Sequence, residues 1–308
     1  MENAACHGLL VIDKPRGMTS RAVVDELQSA FPPGTRLGHT GTLDPLASGI
    51  LVICVGVATR LTEYIQRMDK TYEARLRLGA RSDTDDGEGA IEQTPEVQQP
   101  PSEAVLQALQ SFIGEIQQVP PIYSAAKVTG RRAYDLARAG RDFSLKPRTV
   151  HIRSLDLAAY YYPWLDIQVC CGKGTYIRSL ARDLGESLGC GALVETLRRT
   201  RVGPFDQRLA HPLASAVLEM SKQLLPLSLA AADLPRIDLQ ESEIVHIRHG
   251  RRIPWPAFFD PARLPMYAQE LAAFDSDNRL VAVVGIDQEQ KVFFAQKVLP
   301  NSVLTGYT

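Results

Sequence analysis

Gly38-His39-Thr40-Gly41-Thr42-Leu43-Asp44-Pro45-Leu46-Ala47-Ser48-Gly49-Ile50-Leu51 sets one carboxylate in a loop packed with glycines. The loop runs straight into Ile50-Leu51-Val52-Ile53-Cys54-Val55, an apolar run that reads as a strand buried on both faces. Glycine lets a backbone approach a ligand closely, and Pro45 stiffens the position after Asp44. A turn-capping Asp before Pro is the ordinary alternative, and the loop by itself leaves both readings open.

Upstream, Gly8 to Asp13 reads as a buried strand ended by the turn Lys14-Pro15-Arg16-Gly17. Thr19 or Ser20 then caps a helix with Val23, Val24 and Leu27 on one face. Downstream, Tyr72, Ala74, Leu76 and Leu78 alternate with Glu73, Arg75 and Arg77, the pattern of a half-buried strand. After a polar linker from Gln93 to Pro101, Ser102 is expected to cap a helix carrying Val105, Leu106, Leu109, Phe112 and Ile113, ended by Gly114. A strand at 165–169 leads through Gly172-Lys173-Gly174-Thr175 into a helix from about Tyr176 to Leu188. From Leu234 onward short strand-like runs alternate with proline-rich turns, the texture of a small β-rich domain.

The chain has 308 residues, 45% hydrophobic and 22% charged, with a net charge of −1. That excludes collagenous, coiled-coil and wholly disordered classes, and no run of 18 apolar residues offers a membrane span. The N-terminal residues do not read as a secretory signal. Five cysteines without CxxC spacing argue for reduced thiols in a cytoplasmic protein. Net charge hides a segregation. Between 81 and 118, Arg81 stands against Asp83, Asp85, Asp86, Glu88, Glu92, Glu96, Glu103 and Glu115. Between 124 and 154, Lys127, Arg131, Arg132, Arg138, Arg141, Lys146, Arg148 and Arg153 face only Asp135 and Asp142. Local patches set contact potential, so a polyanionic partner fits, as does a solvated helix face.

Other chemistries fail on spacing. Asp83-Thr84-Asp85-Asp86-Gly87 misplaces the glycine of a calcium loop, and Gly172-Lys173-Gly174-Thr175 is only half a P-loop. His246 and His249 have no third ligand nearby, and neither HExxH nor GxSxG occurs. A phosphotransferase using Asp83 or Asp85 would want a DxDx[TV] run after an apolar strand, which is absent.

Gly38 to Leu51 resembles the catalytic loop of the bacterial TruB-type tRNA pseudouridine-55 synthases. Asp13 to Ser20 is similar to that family's N-terminal motif, and Lys70-Thr71-Tyr72-Glu73-Ala74 to its tyrosine-bearing strand. Val119 to Lys127 with Tyr134 to Arg138 resembles its RNA-gripping insertion, and Lys173 to Leu180, Gly191 to Leu193 and Leu197 to Thr200 complete the series. The resemblance implies a cofactor-free, metal-free isomerisation of a T-loop uridine, with tRNA as partner, no membrane, and a monomer needing no protein partner. Asp44 would be the catalytic carboxylate, as nucleophile or as base toward the ribose, with Arg178 as its ion-pair partner. Tyr72 would stack on the uracil and assist at C5, Tyr176 and Leu197 would hold the base, and His39 would fill the space of the flipped nucleotide. Lys127, Arg131, Arg132, Arg138 and Arg141 would contact phosphates, with the acidic stretch 83–88 turned away from RNA. The implied fold is α+β: a mixed, mostly antiparallel central sheet with flanking helices over 1–234, including the insertion at about 123–150. A PUA-like β domain would cover 235–308. A non-catalytic RNA-binding module is the competing reading.

Overall fold

The computed structural model describes residues 6–95, 98–124, 126–128, 130–219, 223–256, 259–265 and 268–300. Its first strands are β1 (Gly8–Lys14), β2 (Leu37–His39), β3 (Ala47–Val55) and β4 (Lys70–Leu78). Two short hairpins follow, β5 (Ala80–Ser82) with β6 (Ile91–Gln93), and, after β7 (Gly114–Gln118), β8 (Lys127–Val128) with β9 (Arg131–Arg132). Then come β10 (Arg148–Tyr161), β11 (Trp164–Cys171), β12 (Ala192–Val202), β13 (Phe205–Asp206) and β14 (His211–Pro212). The helices here are α1 (Ser20–Gln28), α2 (Thr62–Arg67), α3 (Ser102–Ser111), α4 (Ala133–Arg138), α5 (Ile177–Ser187) and α6 (Leu213–Glu219).

One sheet runs β14-β1-β3-β12-β4-β11-β10-β7, with β13 on β12 and β2 on β3. Only β1–β14 and β12–β3 pair in parallel among its ladders, so the sheet is mixed and mostly antiparallel. Alternation divides its faces. Tyr72, Ala74, Leu76 and Leu78 of β4 pack with Val105 and Leu109 of α3 and with Leu180 and Leu184 of α5. In β1 and β3 nearly every side chain is buried because both faces are covered. Leu10, Ile12, Leu51 and Ile53 meet α1 and α6. Leu9, Val11, Val52 and Cys54 share a core with Leu61 and Ile65 on the other side. Thr19 caps α1 by accepting from the Ala22 amide at 3.0 Å. The helix at 102 starts one place earlier than Ser102 capping requires: Pro101 occupies the cap. It also stops at Ser111, so Phe112 and Ile113 lie beyond it.

A second sheet, with α7 (Glu241–Arg248) inserted after its first strand, has the order β15 (Arg236–Asp238), β17 (Glu270–Phe274), β18 (Leu280–Asp287), β19 (Val292–Val298) and β16 (Ile253–Pro254). Its Ala272, Phe274, Leu280 and Val283 belong to the same apolar cluster as Ala58, Leu61 and Tyr64 beside the first sheet. Polar ties ring that contact. Glu270 accepts from Tyr64 at 3.0 Å and pairs with Arg67 at 2.7 Å, while Lys297 pairs with Glu63 at 2.9 Å.

The junction of β3 and β12 positions the loop of Asp44. Gly49 pairs with Arg199 at φ +103°, and a Cβ built there would lie 2.2 Å from the Arg199 carbonyl oxygen. Both the clash and the backbone conformation oppose any side chain. Gly49→Ala is therefore expected to destabilise the chain by about 3 kcal/mol, read as a lowered urea midpoint.

Candidate active site

The loop of residues 40–46 is held from below by the turn after β1. Gly17 N–H donates to the Pro45 carbonyl at 2.7 Å. The Ser20 hydroxyl donates to the Leu43 carbonyl at 3.0 Å and accepts from the Leu43 amide at 2.8 Å. Lys14 is fully buried, and its ammonium donates to the carbonyls of Pro15 and Met18 at 2.8 and 2.7 Å. Burial lowers the Lys14 pKa to about 8, and the nearby Asp44 charge opposes that fall. Removing that charge in Asp44→Asn is expected to push the Lys14 pKa further below about 8, measured by NMR titration of the side-chain amines. An unchanged or higher value would contradict the electrostatic contact.

Arg178, in the first turn of α5, is 5% exposed and serves three chain segments at once. Its guanidinium pairs with Asp44 at 2.8 Å and with Asp86 at 3.4 Å, and donates to the carbonyls of Thr84 at 3.0 Å and Tyr123 at 2.9 Å. Asp86 is buried in turn, accepting from the Thr84 hydroxyl at 2.6 Å and the Glu88 amide at 3.0 Å. Within the acidic stretch 83–88, Asp83 and Glu88 remain exposed while Asp85 and Asp86 turn inward. The turn between β5 and β6 folds back onto the Val194 backbone, Asp86 reaches Arg178, and Asp85 pairs with Arg182 at 2.9 Å. A planar five-donor fork suits this arrangement, because no other side chain can bind two carboxylates and two carbonyls together.

Asp44 opens into a cleft of about 260 Å³ whose walls include Tyr72, Arg148, Lys173, Tyr176, Leu197 and Arg199. β4 and β12 supply the floor: Tyr72 pairs with Arg199 and Ala74 with Leu197. Burial raises the Tyr72 phenol pKa, and the Arg199 guanidinium beside it works against that rise. Arg199 is itself 2% exposed, donating to the carbonyls of Ile50 at 2.7 Å and Gly41 at 3.3 Å. Tyr176 sits at the N-cap of α5, where the buried Gln118 amide clamps its backbone from both sides. Gln118 accepts from the Tyr176 N–H at 2.8 Å and donates to its carbonyl at 3.1 Å.

Of the residues singled out in the sequence, Asp44, Tyr72, Arg178, Tyr176 and Leu197 converge here. His39 ends β2, opposite Ile53, and is not among the residues lining the cleft. Lys127, Arg131, Arg138 and Arg141 lie exposed on the hairpin of β8 and β9 and around α4, away from the cleft walls; the Arg132 side chain lies outside the described residues. Arg138 stacks on Tyr134 at 5.4 Å. Asp86, Gln118, Arg148, Lys14 and Arg199 carry no site role in the sequence reading, although Lys14, Asp86, Arg148 and Arg199 belong to its motifs and charged stretches.

A larger hollow of about 610 Å³ lies on the opposite face of the sheet, between Glu73, Arg75, Asp166 and Arg198. Both of its arginines are paired: Arg75 grips Asp166 bidentately at 2.7 and 2.8 Å, and Arg198 grips Asp13 at 3.0 and 2.8 Å. Size therefore does not single out the candidate site; the buried arginine on a cleft carboxylate does. Among the described residues no group of three or more His, Cys, Asp or Glu is placed to hold a metal ion. No described helix is long and apolar enough to cross a membrane.

A carboxylate anchored by a buried arginine, between aromatic walls on a mixed sheet, can be compared with known proteins. Residues 31–177 match the TruB family pseudouridylate synthase N-terminal domain, and residues 178–229 match the tRNA pseudouridylate synthase B C-terminal domain. A tRNA pseudouridine synthase B from Burkholderia mallei (strain NCTC 10247) is 40% identical over 291 residues, covering 92% of this chain and 94% of the relative. One from Dehalococcoides mccartyi (strain CBDB1) is 38% identical over 307 residues, covering 96% and 99%. Among solved structures, a chain of a Cbf5-Nop10-Gar1 complex superposes with a TM-score of 0.72 at 25% identity, covering 95% of this chain and 84% of that one. The chain belongs to the TruB family of pseudouridylate synthases. It is accordingly an isomerase.

Proposed function

We propose that this chain converts the T-loop uridine at tRNA position 55 to pseudouridine, with Asp44 as the catalytic carboxylate. The observation carrying this reading is the buried Arg178 holding Asp44 at 2.8 Å at the cleft. Arg178 supplies a counter-charge to the Asp44 carboxylate and aims it into the cleft. Asp44 acts on the ribose, as nucleophile at C1′ or as base; the N-glycosidic bond breaks, the uracil turns, and C5 bonds to C1′. The C5 proton then leaves and N1 regains one, so atoms balance without cofactor or metal. Tyr72 stacks on the uracil and its phenol assists at C5, while Tyr176 and Leu197 hold the base.

The target base is extruded from its loop at a cost of roughly a few kcal/mol, and His39 fills the vacated space. Exposed cations of the insertion, Lys127, Arg131, Arg138 and Arg141, together with Arg132, meet the T-arm phosphates. In this reading residues 1–234 form the catalytic domain and 235–308 a PUA-like RNA-binding domain, in a cytoplasmic monomer. The test is tritium release from a T-arm stem-loop labelled at uracil C5, in the presence of a chelator. Release by the wild-type chain is expected. RNA binding without release would favour an RNA-binding module instead.

A further inference from the structure

The loop that carries Tyr176 is gripped by a side chain from an unexpected direction. Arg148 is the first residue of β10, directly after the basic insertion. Its guanidinium lies over the Tyr176 ring, 4.6 Å from the centroid, and donates to the Gly174 carbonyl. Gly174 itself turns at φ +91°, and a Cβ there would make van der Waals contact with the Arg148 Cζ at 3.8 Å, so the loop lies alongside the guanidinium. The Arg148 Nε is buried with no hydrogen-bond partner among the described residues. The cation keeps the Tyr176 ring as a near neighbour while its Nε goes without a hydrogen bond, as a guanidinium held by a cation–π contact does.

The Tyr176 backbone is already fixed on both sides by Gln118. The ring's remaining freedom is rotation about its side-chain bonds, and Arg148 packs against it at 4.6 Å from the centroid. Both residues line the same cleft as Asp44 and Tyr72. We propose that Arg148 is a positioning residue for the target base, fixing the Tyr176 ring at the angle at which it walls the uracil pocket. The inference rests on the proposed function, in which Tyr176 contacts the base.

Single-turnover tritium release from the C5-labelled stem-loop and filter binding at two salt concentrations test it, with Arg148→Ala, Tyr176→Leu and the double variant. Arg148→Ala is expected to slow release about tenfold while the RNA Kd moves by less than about twofold, as for a group acting on bound substrate. The double variant should be no slower than Tyr176→Leu alone, since Arg148 acts through that ring. If Arg148→Ala fails to fold, Arg148→Gln is read in the same way. An unchanged rate overturns the inference, and so do additive effects in the double variant. It is equally overturned by weakened binding with a shallower salt dependence at an unchanged rate, which would make Arg148 a phosphate contact. A wild-type chain that releases no tritium would sink the proposed function instead, a result distinct from any of these.

Discussion

Asp44→Asn is expected to abolish tritium release, by a factor on the order of 10⁴ or more, while the stem-loop still binds. The substitution keeps the shape of the side chain and removes only its charge. An amide is neither a nucleophile nor a base toward the ribose, so no part of the reaction survives through this atom. The fold should tolerate the change: Arg178 keeps Asp86 and the carbonyls of Thr84 and Tyr123 as partners. Asp44 is also the more exposed of its two acids, at 29% against 5%. Filter binding and single-turnover release on the same preparation check this. Release at the wild-type rate would remove Asp44 from the chemistry while leaving the family assignment untouched.

Arg178 should show a double defect. Arg178→Met leaves Asp86 buried without its counter-charge and two carbonyls without their donor. Breaking a buried pair from one side costs about 3–5 kcal/mol, so a marked fall in the urea midpoint is expected together with loss of release. Arg178→Lys separates the two effects. It restores a positive charge but replaces a planar fork with a point charge that cannot reach four acceptors, so the rate should fall by about 10² or more with part of the stability regained. Adding Asp86→Leu to Arg178→Met should recover stability, because the buried charge is gone, and should recover no activity. Recovery of activity in that pair would show that Arg178 serves the fold alone.

Much of this fold could be read from periodicity. The apolar runs of β1 and β3 and the alternation in β4 announce two strands covered on both faces and one covered on a single face. The helix after Tyr176 was legible for the same reason. β10 and β12 were not, and bulges explain it: register shifts at Ile152/Ser154 and Val194/Thr196 break the two-residue period along strands of 14 and 11 residues. Helix α3 stops at Ser111, and beyond it Phe112 still packs on the core while Ile113 is 39% exposed.

At the site, the residues within contiguous motifs were legible, and the cleft brings five of them together. Asp86 was hidden because a run of acids normally faces water, and only the return of its turn to the β12 bulge buries it. Arg199 was hidden likewise, since charged residues are almost never fully buried unless partnered, and its partners are backbone carbonyls remote in sequence. Gln118 and Arg148 act on Tyr176 from 58 and 28 residues away, distances over which spacing carries no signal.

The apolar contact between the two sheets has a metrical consequence. Phe274 and Leu280 share their core with Leu61 and Tyr64, and ion pairs at Glu270 and Lys297 tie the rim, so packing as well as chain connectivity joins the second sheet to the first. Under the proposed function, an RNA gripped by the second sheet would be held at a set span from Asp44, as in a fixed-jaw caliper, and admitted by the length and angle of its folded arms.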